Sequence, residues 1–352
     1  MKTSSWLAMG LVGVSLWLAP AASAQLFAPN SYRNQPLANN APIDPNSATM
    51  VQDLDSQVQS GDLGNSPPWI NTTSYSDPVY TVPATQPKVK VTVVGDSSGD
   101  QTLQTQFKAV PLPSNAVPDP GTDGSLTVYQ PSTDKLWDFW VLRRPQNGSG
   151  WTAMYGGEIG SEQSGMLGVS QNPGYWTDPP TGFGHLYGAT ATSIPWLVGL
   201  QRISELQAFA INHVVSFSMP RPAGCFRWPA QRQDQPITAD NSDPLAPPEG
   251  AILRLPPTLN IDALNIPPYT KILAKAVQKY GMVLQDRDTE SLTQNQTYGN
   301  VSVYAEEPQS GDPYHGSTGI FGGYNEADLM NAFPWSRLEV LAVPPGHNPC
   351  QQ

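Results

Sequence analysis

The sequence predicts a mainly β fold, a two-layer antiparallel sandwich of jelly-roll type carrying two or three peripheral helices. Three observations predict it. The 352 residues include 37 Pro and 30 Gly, and charged residues make up only 13%. That composition favours turns and leaves little of the Lys, Glu and Ala mixture that builds exposed helices. Short apolar runs with strand-like alternation outnumber helical ones, and no regular βαβ succession orders them. No repeat of fixed period is present, which argues against a propeller. An α+β arrangement is the alternative that the same pattern allows.

Taken in chain order, the first 24 residues read as a cleavable signal peptide. Lys2 supplies the positive start, Trp6 to Leu18 the apolar run, and Ala22-Ser23-Ala24 the small-residue cleavage site, so that Gln25 becomes the N-terminus. The run is shorter than the ~20 residues a membrane span needs. The expected location is therefore secreted, periplasmic or extracellular, with no membrane span. Residues 25–85 are rich in Asn, Pro, Ser and Asp and read as an irregular extension with a short helix around Met50 to Gln57. Residues 86–352 read as one β-rich domain.

Within that domain Val89 to Val94 alternates and is β-branched, the pattern of a strand. Phe107 to Leu112 and Leu126 to Gln130 read as strands, with the turn residues Pro118 to Gly124 between them. Leu136 to Arg144 and Trp151 to Ile159 read as a strand pair joined through Asn147-Gly148. Ile203 to Ile211 has helical spacing and Val214 to Met219 strand character, as has Ile252 to Leu255. Pro267 to Tyr280 is the clearest amphipathic helix, stopped by Gly281. Met282 to Leu284 and Val301 to Ala305 read as strands, Glu326 to Phe333 as a short helix and Leu338 to Val343 as a last strand.

The segments Leu136-Trp137-Asp138-Phe139-Trp140, Gly188 to Pro195, Trp228-Pro229-Ala230-Gln231-Arg232 and Gln278-Lys279-Tyr280-Gly281 resemble segments of an uncharacterised family of large secreted bacterial proteins. The resemblance spans most of the mature chain and carries no activity and no catalytic residue with it.

Charge narrows the partners. The formal net charge is -11 and no basic run exists. Nucleic acid, which is held through clustered Lys and Arg, is excluded on that ground. The two cysteines, Cys225 and Cys350, fit one disulfide in an oxidising compartment. The sequence has no G-x-S-x-G elbow, no H-E-x-x-H, no paired C-x-x-C and no phosphate-binding Gly-Lys-Ser/Thr loop. It therefore lacks the marks of an α/β-hydrolase, a common zinc site or a nucleotide enzyme. Asp119 to Gln130 fails as an EF-hand because Gly121 and Gln130 stand where ligands are needed. Asp286, Asp288 and Glu290 offer a weaker calcium pattern, and an acidic solvated turn accounts for them as well.

Carbohydrate chemistry fits the remaining signals best, with an extracellular polysaccharide as the partner. Asp138 stands among apolar neighbours, which raises a carboxyl toward the range of a general acid, and Glu158 on the adjoining strand is its expected partner. His185 would orient substrate or, with Tyr187, serve the competing lyase chemistry. Trp140, Tyr175, Trp176, Tyr187 and Trp228 supply flat rings for sugar faces, and Arg227, Gln231 and Arg232 supply donors for hydroxyls or uronate. The same rings would also arise as core filling, and Asp138 as a structural carboxylate. His213 reads as a satisfied core histidine, whereas His315 and His347 lie in loops without a partner pattern. The expectations are a glycosidase using paired carboxylates, a non-catalytic glycan-binding or structural envelope protein, and a polysaccharide lyase.

Overall fold

The structure is a computed structural model and describes residues 26, 27, 29, 31–60, 66–144, 150–160, 188–234, 243–288, 291–293, 296–343 and 350. The first helix among the described residues is α1 (Ser47–Ser60), whose Val51, Leu54 and Val58 share one face at helical spacing and enter the main core. There follow β1 (Trp69–Asn71), β2 (Val79–Thr81), β3 (Val91–Val93), α2 (Gln101–Gln106), β4 (Leu126–Gln130), β5 (Lys135–Trp140), β6 (Trp151–Ala153) and β7 (Tyr155–Ile159). The second half adds α3 (Trp196–Gly199), α4 (Ile203–Gln207), β8 (Val215–Met219), β9 (Ala223–Phe226), β10 (Pro248–Glu249) and β11 (Ile252–Arg254). It ends with α5 (Pro268–Tyr280), β12 (Met282–Arg287), β13 (Ser291–Thr293), β14 (Gln296–Tyr298), β15 (Ser302–Tyr304), α6 (Glu326–Asn331) and β16 (Glu339–Val340).

Two sheets dominate. A six-stranded sheet has the order β1-β15-β8-β12-β11-β16 and a four-stranded sheet the order β2-β4-β5-β7. Both are mixed. β8 and β12 run parallel, as do β1 and β15 and also β2 and β4, whereas β4-β5-β7 is antiparallel. The fold is thus mixed α/β with substantial sheet content and no closed barrel among the described residues, and its mixed sheets are not clearly those of the antiparallel jelly roll expected from the composition and the short strand runs. The connection from β8 to β12 includes α5 and is long enough to return the chain to the same end of the sheet, as a parallel pairing requires.

Side-chain alternation explains the layering. Phe217, Leu253, Met282, Leu284 and Val303 point to one face of the six-stranded sheet, where α1, α5 and α6 cover them. Val283 and Tyr304 point to the other face and meet Val79, Tyr129, Leu136 and Ile159 of the four-stranded sheet. Segment 188–200 fills the space between, through Ala189, Ile194, Trp196 and Leu197. The outer face of the four-stranded sheet, with Leu126, Val128, Trp137 and Phe139, is closed by Leu103, Phe107 and the β3 and β6 side chains. The four-stranded sheet is therefore buried on both faces.

Helix α5 follows the sequence expectation closely. Its Leu273, Ala276, Val277 and Tyr280 are buried, and Gly281, at φ 86°, ends it with its N–H on the Val277 carbonyl. Other regions depart from expectation. The N-terminal stretch is not an irregular covering: α1 reaches Ser60, β1 joins the six-stranded sheet and β2 the four-stranded one. The apolar run from Phe107 opens with a 3-10 turn over Phe107–Ala109 instead of a strand. Asp100 starts a helix just before it by accepting the Thr102 and Leu103 amides. Cys225 and Cys350 form a disulfide, with Cα atoms 5.4 Å apart, across a separation of 125 residues. No helix among the described residues is long and apolar enough to cross a membrane.

Candidate functional site

Asp138 lies in the middle of β5, on the same face as Leu136 and Trp140, and is fully buried. Its Oδ2 accepts the backbone N–H groups of Ala189 (3.0 Å) and Trp196 (3.1 Å), and Oδ1 accepts the Thr127 hydroxyl (3.2 Å). Burial pushes its carboxyl up to about 7, and these hydrogen bonds restrain the rise. From the other sheet Asp286 Oδ2 accepts the Ala191 amide at 3.2 Å, and Gln285 O accepts the Thr192 hydroxyl at 2.6 Å. The segment 188–196 is thus pinned to both sheets, by the buried Asp138 carboxyl and Gln285 carbonyl and by the half-buried Asp286, and Asp138 acts as a positioning residue for it.

Glu158 does not join Asp138. In the β5–β7 register Glu158 stands opposite Trp137 and Asp138 opposite Gly157. Opposed residues share a face and neighbours along a strand alternate, so the two carboxyls lie on opposite sides of the sheet. Glu158 instead meets Lys135 in an ion pair. The expected acid/base pair is corrected on that ground. Gly156 allows the strands to approach here, since a Cβ at its φ of 144° would sit 1.9 Å from the Asp138 carbonyl oxygen.

The expected substrate-binding residues divide into two groups. Arg227 is buried, donating through Nη1 to Asp44 Oδ2 and through Nη2 to Leu341 O, both at 2.9 Å. Trp228 is buried edge-on against Tyr32 at 5.1 Å between ring centroids. Both hold the interior together and neither is placed to meet a ligand. Gln231, also buried, donates to Ser193 O at 2.9 Å. Arg232 and Trp140 belong to the second group, at the rim of the four-stranded sheet. Trp140 is 36% exposed and its indole N–H donates to Asp123 Oδ1 at 3.0 Å. Across the strand pair it stands opposite Tyr155, over whose ring the Arg232 guanidinium sits at 4.5 Å. Arg232 Nη2 also donates to Thr190 O at 3.3 Å, and the Tyr155 and Ser193 hydroxyls lie 3.1 Å apart. Burial pushes the Tyr155 phenol up to about 12, against the pull of Arg232 and Ser193.

An acidic border adjoins this rim. Asp286 is half-buried at the end of β12. Burial raises its carboxyl well above the usual range, and the charges of Asp234 and Asp123 raise it further. Asp234 is itself bound by Arg287 Nε at 3.0 Å, and its amide donates to Glu249 Oε2 at 2.8 Å. The arrangement offers a flat ring, one stacked guanidinium and several carboxyl oxygens at one edge of the molecule. Sequence reading missed Tyr155, Ser193 and Asp123. Ser193 sits at a φ of 59°, which no residue pattern announced, and the tie between Asp123 and Trp140 spans 17 residues.

Other expected residues take their places as follows. Tyr175, Trp176, His185, Tyr187 and Glu290 lie outside the described residues, as do the first 24. Asp288 Oδ2 meets the Ser218 hydroxyl at 3.4 Å, and among the described residues no three His, Cys, Asp or Glu side chains gather as metal ligands. His213 is buried with Nδ1 donating to Val214 O (2.6 Å) and Nε2 against Glu205 (3.0 Å), in keeping with a core role. A separate groove of about 640 Å³ runs along α1 between Val51, Gln52, Asp55 and Leu338. It has no aromatic ring, and two of its carboxylates, Asp44 and Glu339, are already bound by Arg227 and Arg254. The Trp140 rim therefore has the better chemistry for a ligand.

Fold and site together define a disulfide-bonded, mixed α/β protein with an aromatic and acidic rim. No protein-family model matches the chain, and neither does any curated protein or solved structure.

Proposed function

We propose that this is an exported protein that binds an extracellular polysaccharide at the rim formed by Trp140, Tyr155, Arg232 and Asp123. The observation that carries this reading is an exposed tryptophan whose N–H is fixed by a carboxylate beside a guanidinium stacked on a tyrosine. An immobilised ring covers the apolar face of a sugar, while the Asp and Arg groups take its hydroxyls. The disulfide suits an oxidising compartment, and the apolar N-terminal run suits export. Binding is preferred to cleavage by Asp138 and Glu158 because those carboxyls face opposite ways.

A second reading, cleavage, rests on Asp286. It is half-buried at the same rim and its carboxyl stays protonated above the usual range, the condition for a general acid. One experiment separates the two. The mature protein is incubated with neutral and uronate-containing polysaccharides while binding, new reducing ends and ultraviolet absorbance are followed. The binding reading expects retention on at least one polymer without products, weakened about tenfold, roughly 1.4 kcal/mol, by Trp140→Ala. Reducing ends that vanish in Asp286→Asn would establish hydrolysis, and absorbance from unsaturated products would establish a lyase. Absence of both binding and products across the panel would overturn the carbohydrate reading.

A further inference from the structure

The loop from Ser310 to Tyr324 holds glycines at 311, 316, 322 and 323 in the left-handed region, with φ of 71°, 81°, 62° and 89°. Such a loop has many unfolded-like alternatives, so its single conformation needs a fastening. Part of it comes from packing, because Tyr314 and Phe321 are buried in the main core. The other part is His315. Its Nδ1 lies 2.8 Å from Asp312 Oδ2, and its Nε2 lies 2.8 Å from Glu326 Oε1 on α6. Asp312 is turned toward the ring by the amides of Tyr314 and His315, which donate to its Oδ1 at 3.0 and 3.2 Å.

Two carboxylates on the two ring nitrogens fix the protonation state by geometry. A carboxylate oxygen only accepts, so both nitrogens must carry hydrogen, and only the imidazolium does. A neutral ring would aim a lone pair at one of the carboxylates. We propose that His315, held as an imidazolium between Asp312 and Glu326, is a pH-operated clasp that fastens the glycine-rich loop 310–324 to helix α6. The groups facing the ring are Asp312 from its own loop, Glu326 from α6 and the uncharged edge of Phe321 at 5.6 Å. Asp328, the next acid on α6, is turned to Asn325. The His315 side chain is 38% exposed, so its proton exchanges with solvent while Glu326 stays largely covered.

The direction of the switch follows from linkage. Partial burial lowers the ring's affinity for a proton, but the bonds and charges of Asp312 and Glu326 raise it more, and the net shift is upward. The clasp is therefore complete below the ordinary histidine value of ~6.5 and is lost as pH rises through the raised folded value.

Hydrogen exchange over 311–324, corrected for the intrinsic pH dependence of exchange, tests this between pH 5.5 and 9. The amides of Ile320 and Phe321, bonded to Pro313 O and Tyr314 O, report directly. The wild-type opening equilibrium is expected to be flat below ~6.5 and to grow by up to about tenfold per pH unit from there to the raised folded value, the limit for one proton. His315→Gln should show the open level at every pH, and Glu326→Gln should move the transition to lower pH while the protein stays folded. Wild-type protection that does not change from pH 6 to pH 9, or a His315→Gln profile that tracks the wild type, would overturn the clasp.

Discussion

Two places where the sheets meet use the same residue type in opposite ways. At the 188–196 joint, Asp138 is surrounded by donors and accepts three hydrogen bonds. At the seam where the chain leaving β15 crosses the segment before β2, Ser76 donates to Ala305 O and the Glu307 amide to Asp77 O. There Asp77, Asp119 and Glu307 carry buried carboxyl oxygens that meet no full hydrogen bond. The amides of Gly121 and Tyr75 lie beside Asp119 and favour its charge, while Glu307 lies within reach of the same carboxyl. The consequence is visible in the proton affinities. Asp138 is restrained to about 7, whereas Asp77, as deeply buried, is driven well above the usual range by burial and by the Asp138 charge. Burial sets how much a carboxylate must be compensated, and the donors decide whether it stays charged or holds its proton.

The largest effect should come from emptying the joint. Asp138→Ala leaves the Ala189 and Trp196 amides without an acceptor in the core and should lower stability by about 3 kcal/mol in urea unfolding. Asp138→Asn, which keeps one acceptor, should lose less. If the alanine variant unfolds at the wild-type midpoint, the joint is not held by this residue.

The pH profile comes next. Burial and the neighbouring Asp119 push Glu307 up to about 8, above the ordinary ~4.3 of a glutamic acid. The folded chain then binds the extra proton, so its contribution is full below the ordinary value and drains away as pH rises toward 8. The thermal midpoint of the wild type should fall across that range, and Glu307→Gln should fall less steeply. Equal slopes would remove Glu307 from the seam's titration.

A smaller effect of reversed sign distinguishes the two regions. Asp77→Asn at pH 8 removes a carboxyl that lacks full donors, and should raise stability by about 1 kcal/mol where Asp138→Asn lowers it. The smallest change belongs to Glu158→Gln, since its ion pair with the half-exposed Lys135 is worth less than about 1 kcal/mol.

What the sequence made legible was local. Helix α5 could be read because its apolar spacing and its stop at Gly281 lie within one continuous stretch. Alternation along β5 puts Leu136, Asp138 and Trp140 on one face, but it does not extend to Leu142. Val141, at a φ of 52°, ends the alternation, and Leu142 turns to the opposite core. The pairing of Asp138 with Glu158 failed because a one-residue difference in register moves a side chain to the other face, and the connecting loop did not specify register. Arg227 and Trp228 looked like a binding motif because exposure cannot be read from residue type. Their partners, Asp44, Leu341 and Tyr32, are more than a hundred residues away in the chain. Asp312, three residues before His315, was within view, whereas Glu326 required the fold of the glycine loop.

On the proposed function the ligand binds at the Trp140 rim and not in the groove along α1. Hydrogen exchange with and without a saturating oligosaccharide from the polymer that is retained tests it most directly. Binding at the rim should add protection confined to residues 138–142, 153–156 and 231–234. Protection along 44–55 and 336–339, with the rim unchanged, would place the ligand in the groove and contradict it.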